Sequence, residues 1–418
     1  MNEKNRKVEL LAPAGNFEKL EIAVHYGADA VYLADKNYSL RNFSGNFTHD
    51  ELALAVNFAH ENGVKVYVAC NIYSRNSEQE SIEDYLQFLG EIKPDAIILA
   101  DPGIIMEAKN IIPDIPVHLS TQANTTNYKS IMFWKNFGVK RINAARELSL
   151  KEIKEFGRVP GMGIEAFVHG AMCISYSGRC LLSSFMTNRD SNLGKCSHPC
   201  RWKYHLVEEL RPGEYMPVYE DDRGSYIMNS KDLCMIEHIP AMIASNIDSL
   251  KIEGRMKGVL YLATTVKTYR DAIDSWYKDP DGFVVKKEWI KNLAGVKNRG
   301  YSTGFYLENN DQTVPDYDKF TFLKENIFLG KVLGRQDEKR VEVQVRNKIF
   351  KDHSIEVISK TGPVKQDKIL SITDKYGENL PFAQPGSIVM LDLIYKYSKN
   401  DIICSHYKQS GCIEHSGI

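Results

Sequence analysis

The chain lacks an apolar run of bilayer length, an excess of either charge, and the commonest catalytic and nucleotide-binding fingerprints. Each absence excludes something. Its opening, MNEKNRKVELLAPAG, carries charges where a signal peptide needs an apolar core, and every later apolar stretch is interrupted too soon to span a membrane. A cytoplasmic protein without a membrane partner is expected. With 53 Lys and Arg against 54 Asp and Glu, the net charge of −1 exerts no global pull on nucleic acid. RNA binding would therefore rest on local basic patches. No G-x-S-x-G elbow and no H-E-x-x-H helix occurs, and the first strand–helix turn, APAGN, has one glycine where a dinucleotide site needs three.

What is present fits a large packed protein. A length of 418 residues with 43% hydrophobic and 26% charged side chains suits one big domain and one small one. Short β-branched runs alternate with amphipathic segments from residue 8 onward, which is the pattern of βα units on a parallel sheet. Eight strands are predicted: Val8–Ala12, Ala30–Leu33, Val64–Cys70, Ala96–Ala100, Pro116–Ser120, Lys140–Asn143, Ile164–Val168 and Ser249–Ile252. Helical patterns such as Phe17–Tyr26, Asp50–Glu61, Ile82–Ile92 and Asn127–Phe137 follow them. The phrases HYGADAVYL, HENGVKVYV, KPDAIILA and FGVKRINA repeat one helix-to-strand joint. Eight such units predict a TIM-like (β/α)8 barrel over residues 1–279, with an open doubly wound sheet as the alternative. Residues 280–325 read as a linker, 326–406 as a small C-terminal β-barrel of short alternating strands, and 407–418 as a tail.

Two stretches break the rhythm where barrel active sites are built, after the second and seventh strands. One is KNYSLRNFSGNFTHD, residues 36–50, with Arg41 among aromatic rings. The other, residues 173–230, holds four of the eight cysteines, spaced Cys173-x6-Cys180-x15-Cys196-x3-Cys200. Four thiols in one Gly- and Ser-containing insertion suit a metal bound by soft sulfur, either zinc or an iron–sulfur cluster. The loose gaps fit a cluster somewhat better than the tight pairs of structural zinc sites. Ordinary buried thiols, or a catalytic thiol with His169 or His198 as base, are the competing readings.

Strand ends supply a polar rim of Asp35, Asn71, Asp101, Gln122, Asn124, Arg146, Glu147, Glu165, His169, Lys251, Glu253 and Arg255. Glu165 and His169 share the segment EAFVHG and are the catalytic candidates. Lys251, Glu253 and Arg255, in KIEGR, alternate along a strand and would point together into the barrel mouth. Two cations there could clamp a small-molecule carboxylate, or close an internal ion-pair network. Arg179, Arg189, Lys195, Arg201, Trp202 and Lys203 interleave cations with a ring near the cysteines and could grip phosphates and stack a base, while the loop of Arg41 and the C-terminal Arg346 and Lys348 are further candidates for an RNA-reading surface, though basic loops are common without RNA.

EAFVHGAMCISYSGRCLLSS at 165–184 resembles the signature of the collagenase-like peptidase family of unknown catalytic type. CSHPCRW, RPGEYM, NSKDL and SLKIEGR, with LLAPAGN and QAN, extend the likeness over nearly the whole chain. The RPGEYM to NSKDL run and the single C-terminal domain are similar to the branch that hydroxylates the wobble uridine of tRNA. That resemblance implies an RNA hydroxylase forming 5-hydroxyuridine, with prephenate as hydroxyl source and tRNA as partner. It further implies an iron–sulfur cluster of the four-iron type on Cys173, Cys180, Cys196 and Cys200, and allows for a partner subunit of the same family. Cys234, in SKDLC, competes with Cys200 for the fourth ligand position. Sister branches act on another RNA or a quinone precursor, and a peptidase is the remaining alternative.

Overall fold

The computed structural model describes residues 7–36, 38, 46–172, 180–187, 189, 197, 199, 206–207, 215–216, 220–221, 224–225, 231–307, 326–337 and 339–406. Two compact units result, one of residues 1–286 and 298–321, the other of 287–297 and 322–418.

Eight parallel strands build the first unit: β1 Glu9–Pro13, β2 Ala30–Leu33, β3 Lys65–Cys70, β4 Ala96–Leu99, β5 Val117–Leu119, β6 Arg141–Asn143, β7 Gly163–Gly170 and β8 Ser249–Ile252. Each pairs with the next, and β8 pairs with both β7 and β1, which closes the barrel. Helices α1 Phe17–His25, α2 His49–Glu61, α3 Gln79–Ile92, α4 Pro102–Ile111, α5 Tyr128–Asn136 and α6 Leu150–Glu155 follow the first six strands. Local chemistry sets their starts. Thr48 and Glu51 form a reciprocal capping box on α2, as Ser149 and Glu152 do on α6, and each box satisfies two backbone N–H groups at the helix start. At the repeated joint the chain adopts left-handed backbone, at Gly63 with φ +70° and at Lys93 with φ +50°.

Between β7 and β8 the described residues form α7 Leu182–Thr187, short two-residue strand pairs, the strand Asp232–Cys234 and α8 Ile239–Ala244. The strand Asp232–Cys234 runs antiparallel beside the end of β7, with Cys234 opposite His169, and parallel to Tyr301–Ser302. After β8 comes α9 Val259–Lys278, buried through most of its length. It is fastened to the sheet by Arg270, whose Nη1 donates to Asp29 at 2.9 Å, and by Tyr277, whose hydroxyl accepts from the Val8 N–H at 2.9 Å. Among the described residues no helix is long and apolar enough to cross a membrane.

The second unit is antiparallel throughout. Its strands are β9 Asn326–Arg335, β10 Arg340–Val345, β11 Ser354–Ile358, β12 Lys365–Lys368, β13 Ser371–Thr373, β14 Ile388–Asp392 and β15 Ile402–His406. They form one sheet in the order β12-β11-β15-β9-β10-β14-β13. Alternation drives the burial, as in RVEVQV, where Val341, Val343 and Val345 enter the core with Val357, Ile372 and Leu391. The stretch read as a linker carries α10 Lys287–Ala294, whose Trp289 and Leu293 are buried within the second unit, and Tyr301–Ser302, which extends the barrel sheet. A short antiparallel pair, Ile349–Phe350 with Phe382–Ala383, stands beside the seven-stranded sheet.

Candidate functional site

Inward-facing residues divide the barrel interior in two. On the β1–β4 side Leu11, Ala30, Tyr32, Ala34, Tyr67, Ala69, Ala96 and Ile98 form one apolar cluster. Opposite, β5 to β8 place His118, Arg141, Glu165 and Lys251 inside, all buried. Glu9, the first residue of β1, joins the charged half. Its carboxylate accepts from Arg141 Nη1 at 2.7 Å, the Tyr67 hydroxyl at 2.7 Å and Ser249 Oγ at 2.8 Å. Arg141 also lies 3.6 Å from Glu165 Oε2, and Lys251 Nζ donates to Glu165 Oε1 at 2.7 Å.

Two carboxylates and two cations thus form one neutral chain through the barrel. Burial alone would raise the Glu9 pKa, but the Arg141 charge and the three hydrogen bonds outweigh it and hold the carboxyl below its ordinary value. Burial would conversely lower Arg141, yet Glu9 and Glu165 raise it. His118 is pushed well below its ordinary value by burial and by Arg141, Lys251 and Lys65, so it is a neutral ring set edge-on to Tyr67. Sequence reading missed Glu9, Arg141, Tyr67 and His118. Period-two alternation assigns them inward, but nothing local marks their partners.

The candidates Glu165 and His169 have different partners. A register shift between β7 and β8 falls just before His169, where Lys251 faces Phe167 and Ile252 faces His169. Glu165 belongs to the interior chain. His169 is buried beside three tyrosine rings, with its Nδ1 3.3 Å from the Tyr269 hydroxyl and its Nε2 3.5 Å from that of Tyr301. Burial lowers its pKa to about 3, with Asp232 opposing and Lys257 assisting. Lys251, Glu253 and Arg255 are all buried, but β8 stops at Ile252 and the chain turns, the Lys257 N–H donating to Gly254 O at 2.8 Å. Simple strand alternation therefore does not govern Glu253 and Arg255. Gly170, at φ +108°, permits this crossing, since a Cβ there would lie 2.4 Å from the Glu253 carbonyl oxygen.

Rim residues sort by what they touch. Asp101 caps α4, accepting from the N–H groups of Gly103 at 2.7 Å and Ile104 at 3.2 Å. Asn71 donates to Ser120 Oγ at 3.4 Å, and Asp35 lies 3.5 Å from His49 Nε2. Around the C-terminal ends of β5, β6 and β7, buried polar atoms lack a hydrogen-bond partner among the described residues: Gln122 Oε1, Asn124 Nδ2, Thr125 Oγ1, Asn143 Oδ1, Arg146 Nε and Glu165 Oε2. Strand register sets Asn143 beside Glu165, and Arg146 lies over the Phe167 ring at 4.0 Å. Buried groups of this kind are ordinarily satisfied, so an unpaired set at a barrel mouth marks a place for a polar ligand.

Cys173, Cys196 and Cys200 lie outside the described residues, as do Arg41, Arg179, Lys195, His198, Arg201, Trp202 and Lys203. Cys180 is half-buried, and Cys234 is a free thiol. Burial raises the Cys234 pKa to about 11, and its Sγ accepts from the Tyr269 hydroxyl at 3.8 Å. The immediate neighbours of the cysteines are tied together. Ser197, next to Cys196, donates its N–H to Ser183 Oγ at 3.0 Å and is 2.8 Å from Thr187 Oγ1, both on α7, which starts just after Cys180. Met172 and Leu233, the neighbours of Cys173 and Cys234, flank Gly304 together. Thiols are donors of the type that a soft-metal centre requires.

A closed parallel barrel with buried polar groups at its strand ends defines the class: a (β/α)8 protein whose working surface is made by βα loops. Residues 15–316 match the model for peptidase family U32, and residues 324–403 match that for the peptidase family U32 C-terminal domain. The chain belongs to peptidase family U32. It is 43% identical to tRNA hydroxylation protein P1 of Bacillus subtilis, over 93% of this chain and 92% of the relative. It is 37% identical to tRNA hydroxylation protein P of Escherichia coli, over 91% of this chain and 92% of the relative. A collagenase of Porphyromonas gingivalis is 31% identical over 72% and 73%.

Proposed function

We infer that the chain is a tRNA-modifying enzyme that hydroxylates the wobble uridine to 5-hydroxyuridine, with prephenate as hydroxyl source and an iron–sulfur cluster on Cys173, Cys180, Cys196 and Cys200. The observation that carries this reading is similarity along both units to relatives named for tRNA hydroxylation. When bound, the cluster would supply one-electron chemistry. The chain's own residues bind and orient. Unpaired acceptors on Gln122 and Asn143 and donors on Asn124 and Thr125 suit a neutral base edge that alternates acceptor and donor, as uracil does. The Lys251 charge is matched by Glu165, so Arg146, held over Phe167, is a cation for one of the two co-substrate carboxylates.

The name of the Porphyromonas relative favours a second reading, a peptidase. A cysteine peptidase needs a low thiol pKa and a basic imidazole. The adjacent Cys234 and His169 are shifted the opposite way, to about 11 and about 3. Nucleoside mass spectrometry on tRNA from a deletion strain decides for the main reading if 5-hydroxyuridine and its derivatives vanish and return with a plasmid copy. Unchanged tRNA, in a strain without a second gene of this kind, rules it out. Anaerobic purification with iron and sulfide analysis tests the cluster, and stoichiometric zinc without iron would reject it.

A further inference from the structure

On the second unit, Phe350 and Phe382 form a cross-strand pair at directly opposed positions of a two-residue ladder. Their ring centroids are 6.2 Å apart at an interplanar angle of 55°. Both rings remain in solvent, 46% and 37% exposed. Lys348 Nζ stands over them, 4.1 Å from the Phe382 centroid and 5.0 Å from that of Phe350, and the His353 ring meets Phe350 edge-on at 6.3 Å. The segment RNKIFKDH, residues 346–353, holds three Lys and Arg against one acid, Asp352, and that acid is taken by Lys368 at 2.7 Å.

A cross-strand aromatic pair can exist solely to steady its hairpin. That role does not require cations around the rings or such exposure of the rings. Exposed rings beside a lysine are the elements with which proteins hold unpaired nucleotides, the base stacking on the ring and the phosphate meeting the cation. A protein partner would favour acids or an apolar surround, whereas the charge here complements a polyanion.

We propose that Phe350, Phe382 and Lys348 form a binding site for a single-stranded nucleotide of the RNA on which the chain acts. This rests on the reading that the substrate is a tRNA. The probe is an unmodified tRNA transcript, and its affinity for the full chain is measured across a salt series. Phe350→Ala and Phe382→Ala should each weaken binding about tenfold, the order expected for losing one base stacked on a ring. Phe350→Tyr, which keeps the ring, should retain it. Lys348→Gln should reduce the salt slope by about 0.7, the share of one phosphate on a single strand. Thermal unfolding of each variant separates the site from a hairpin staple, because a staple lowers the melting temperature and leaves affinity in place.

Alanine variants that bind as the wild type does, or a tyrosine variant as weak as alanine, overturn the proposal. Lys348→Gln leaves both rings and provides the test should ring removal unfold the unit. Ring-dependent tRNA binding without 5-hydroxyuridine formation would refute the hydroxylation reading and support this site. Hydroxylation with ring-independent binding would do the reverse.

Discussion

Replacing Glu9 by Leu tests the buried charge chain where it lies farthest from the mouth. Glu9, Arg141, Glu165 and Lys251 carry −1, +1, −1 and +1, so these four buried groups sum to zero, with the half-exposed Lys65 3.7 Å from Glu9 at the solvent end. Loss of Glu9 leaves +1 and strands the Tyr67 hydroxyl and Ser249 Oγ without their acceptor. Breaking a buried pair by deleting one partner costs about 3–5 kcal/mol, most of it the penalty of the uncompensated charge. Adding Arg141→Met restores neutrality, because Glu165 and Lys251 remain matched at 2.7 Å. The double variant should therefore be more stable than Glu9→Leu by roughly 3–5 kcal/mol, since apolar replacement of a whole pair is close to neutral and removes the penalty of the uncompensated charge.

Denaturant unfolding followed by circular dichroism, scored on the barrel transition, measures both. A double variant less stable than the single one would refute the charge argument. The acid limb supplies an independent check. The folded Glu9 pKa lies below its ordinary 4.5, so its ionised form contributes stability that is complete above that value. That contribution is lost as pH falls through the lower folded pKa. Glu9→Gln should flatten the stability profile below about pH 4.5 and leave its shape at neutral pH unchanged.

Three other substitutions separate scaffold from site. Asp101→Ala removes the α4 cap and should cost about 1 kcal/mol in denaturant unfolding with hydroxylation retained, whereas loss of activity in a folded variant would return Asp101 to the site. Gly170→Ala sets a Cβ 2.4 Å from the Glu253 carbonyl at φ +108°, and a thermal scan should show a loss above roughly 2 kcal/mol. A wild-type melting temperature would mean that the β7–β8 crossing is loose. Cys200→Ser and Cys234→Ser, purified anaerobically and assayed for iron, should differ: iron is lost from Cys200→Ser and kept by Cys234→Ser, and the opposite result transfers the fourth ligand to Cys234.

The barrel was legible because its signals are local. β-branched runs after a helix-ending joint mark strands, and Ala30–Leu33 and Ser249–Ile252 lie where the pattern places them. Lys365–Lys368 escaped notice because KQDK has no apolar alternation and is held by pairing to β11. Asp101 had a readable cap signature, Asp followed by Pro at the first helical position, which points to a scaffold role as strongly as its strand-end place points to a site. The partnership of Glu9 with Arg141 spans 132 residues, and no short-range pattern encodes it. The separation of His169 from Glu165 was illegible for a different reason: a register shift, invisible in EAFVHG, breaks the alternation that would have kept them together.

Buried ion pairs contribute little net stability compared with apolar packing, so the charged half of this barrel is weakly explained by folding alone. Its geometry offers another account. The chain of contacts begins at Glu9, at the start of β1, and passes through Arg141 to Glu165 and Lys251, so the partner that holds Lys251 beneath the mouth is itself positioned from below. Because these four charges sum to zero, the field at the strand ends is left to groups such as Arg146, which has an aromatic platform and, among the described residues, no hydrogen bond at Nε. A neutral base would then meet amide and hydroxyl groups, and a carboxylate would meet one cation, without either having to compete with an unmatched charge deeper in the barrel.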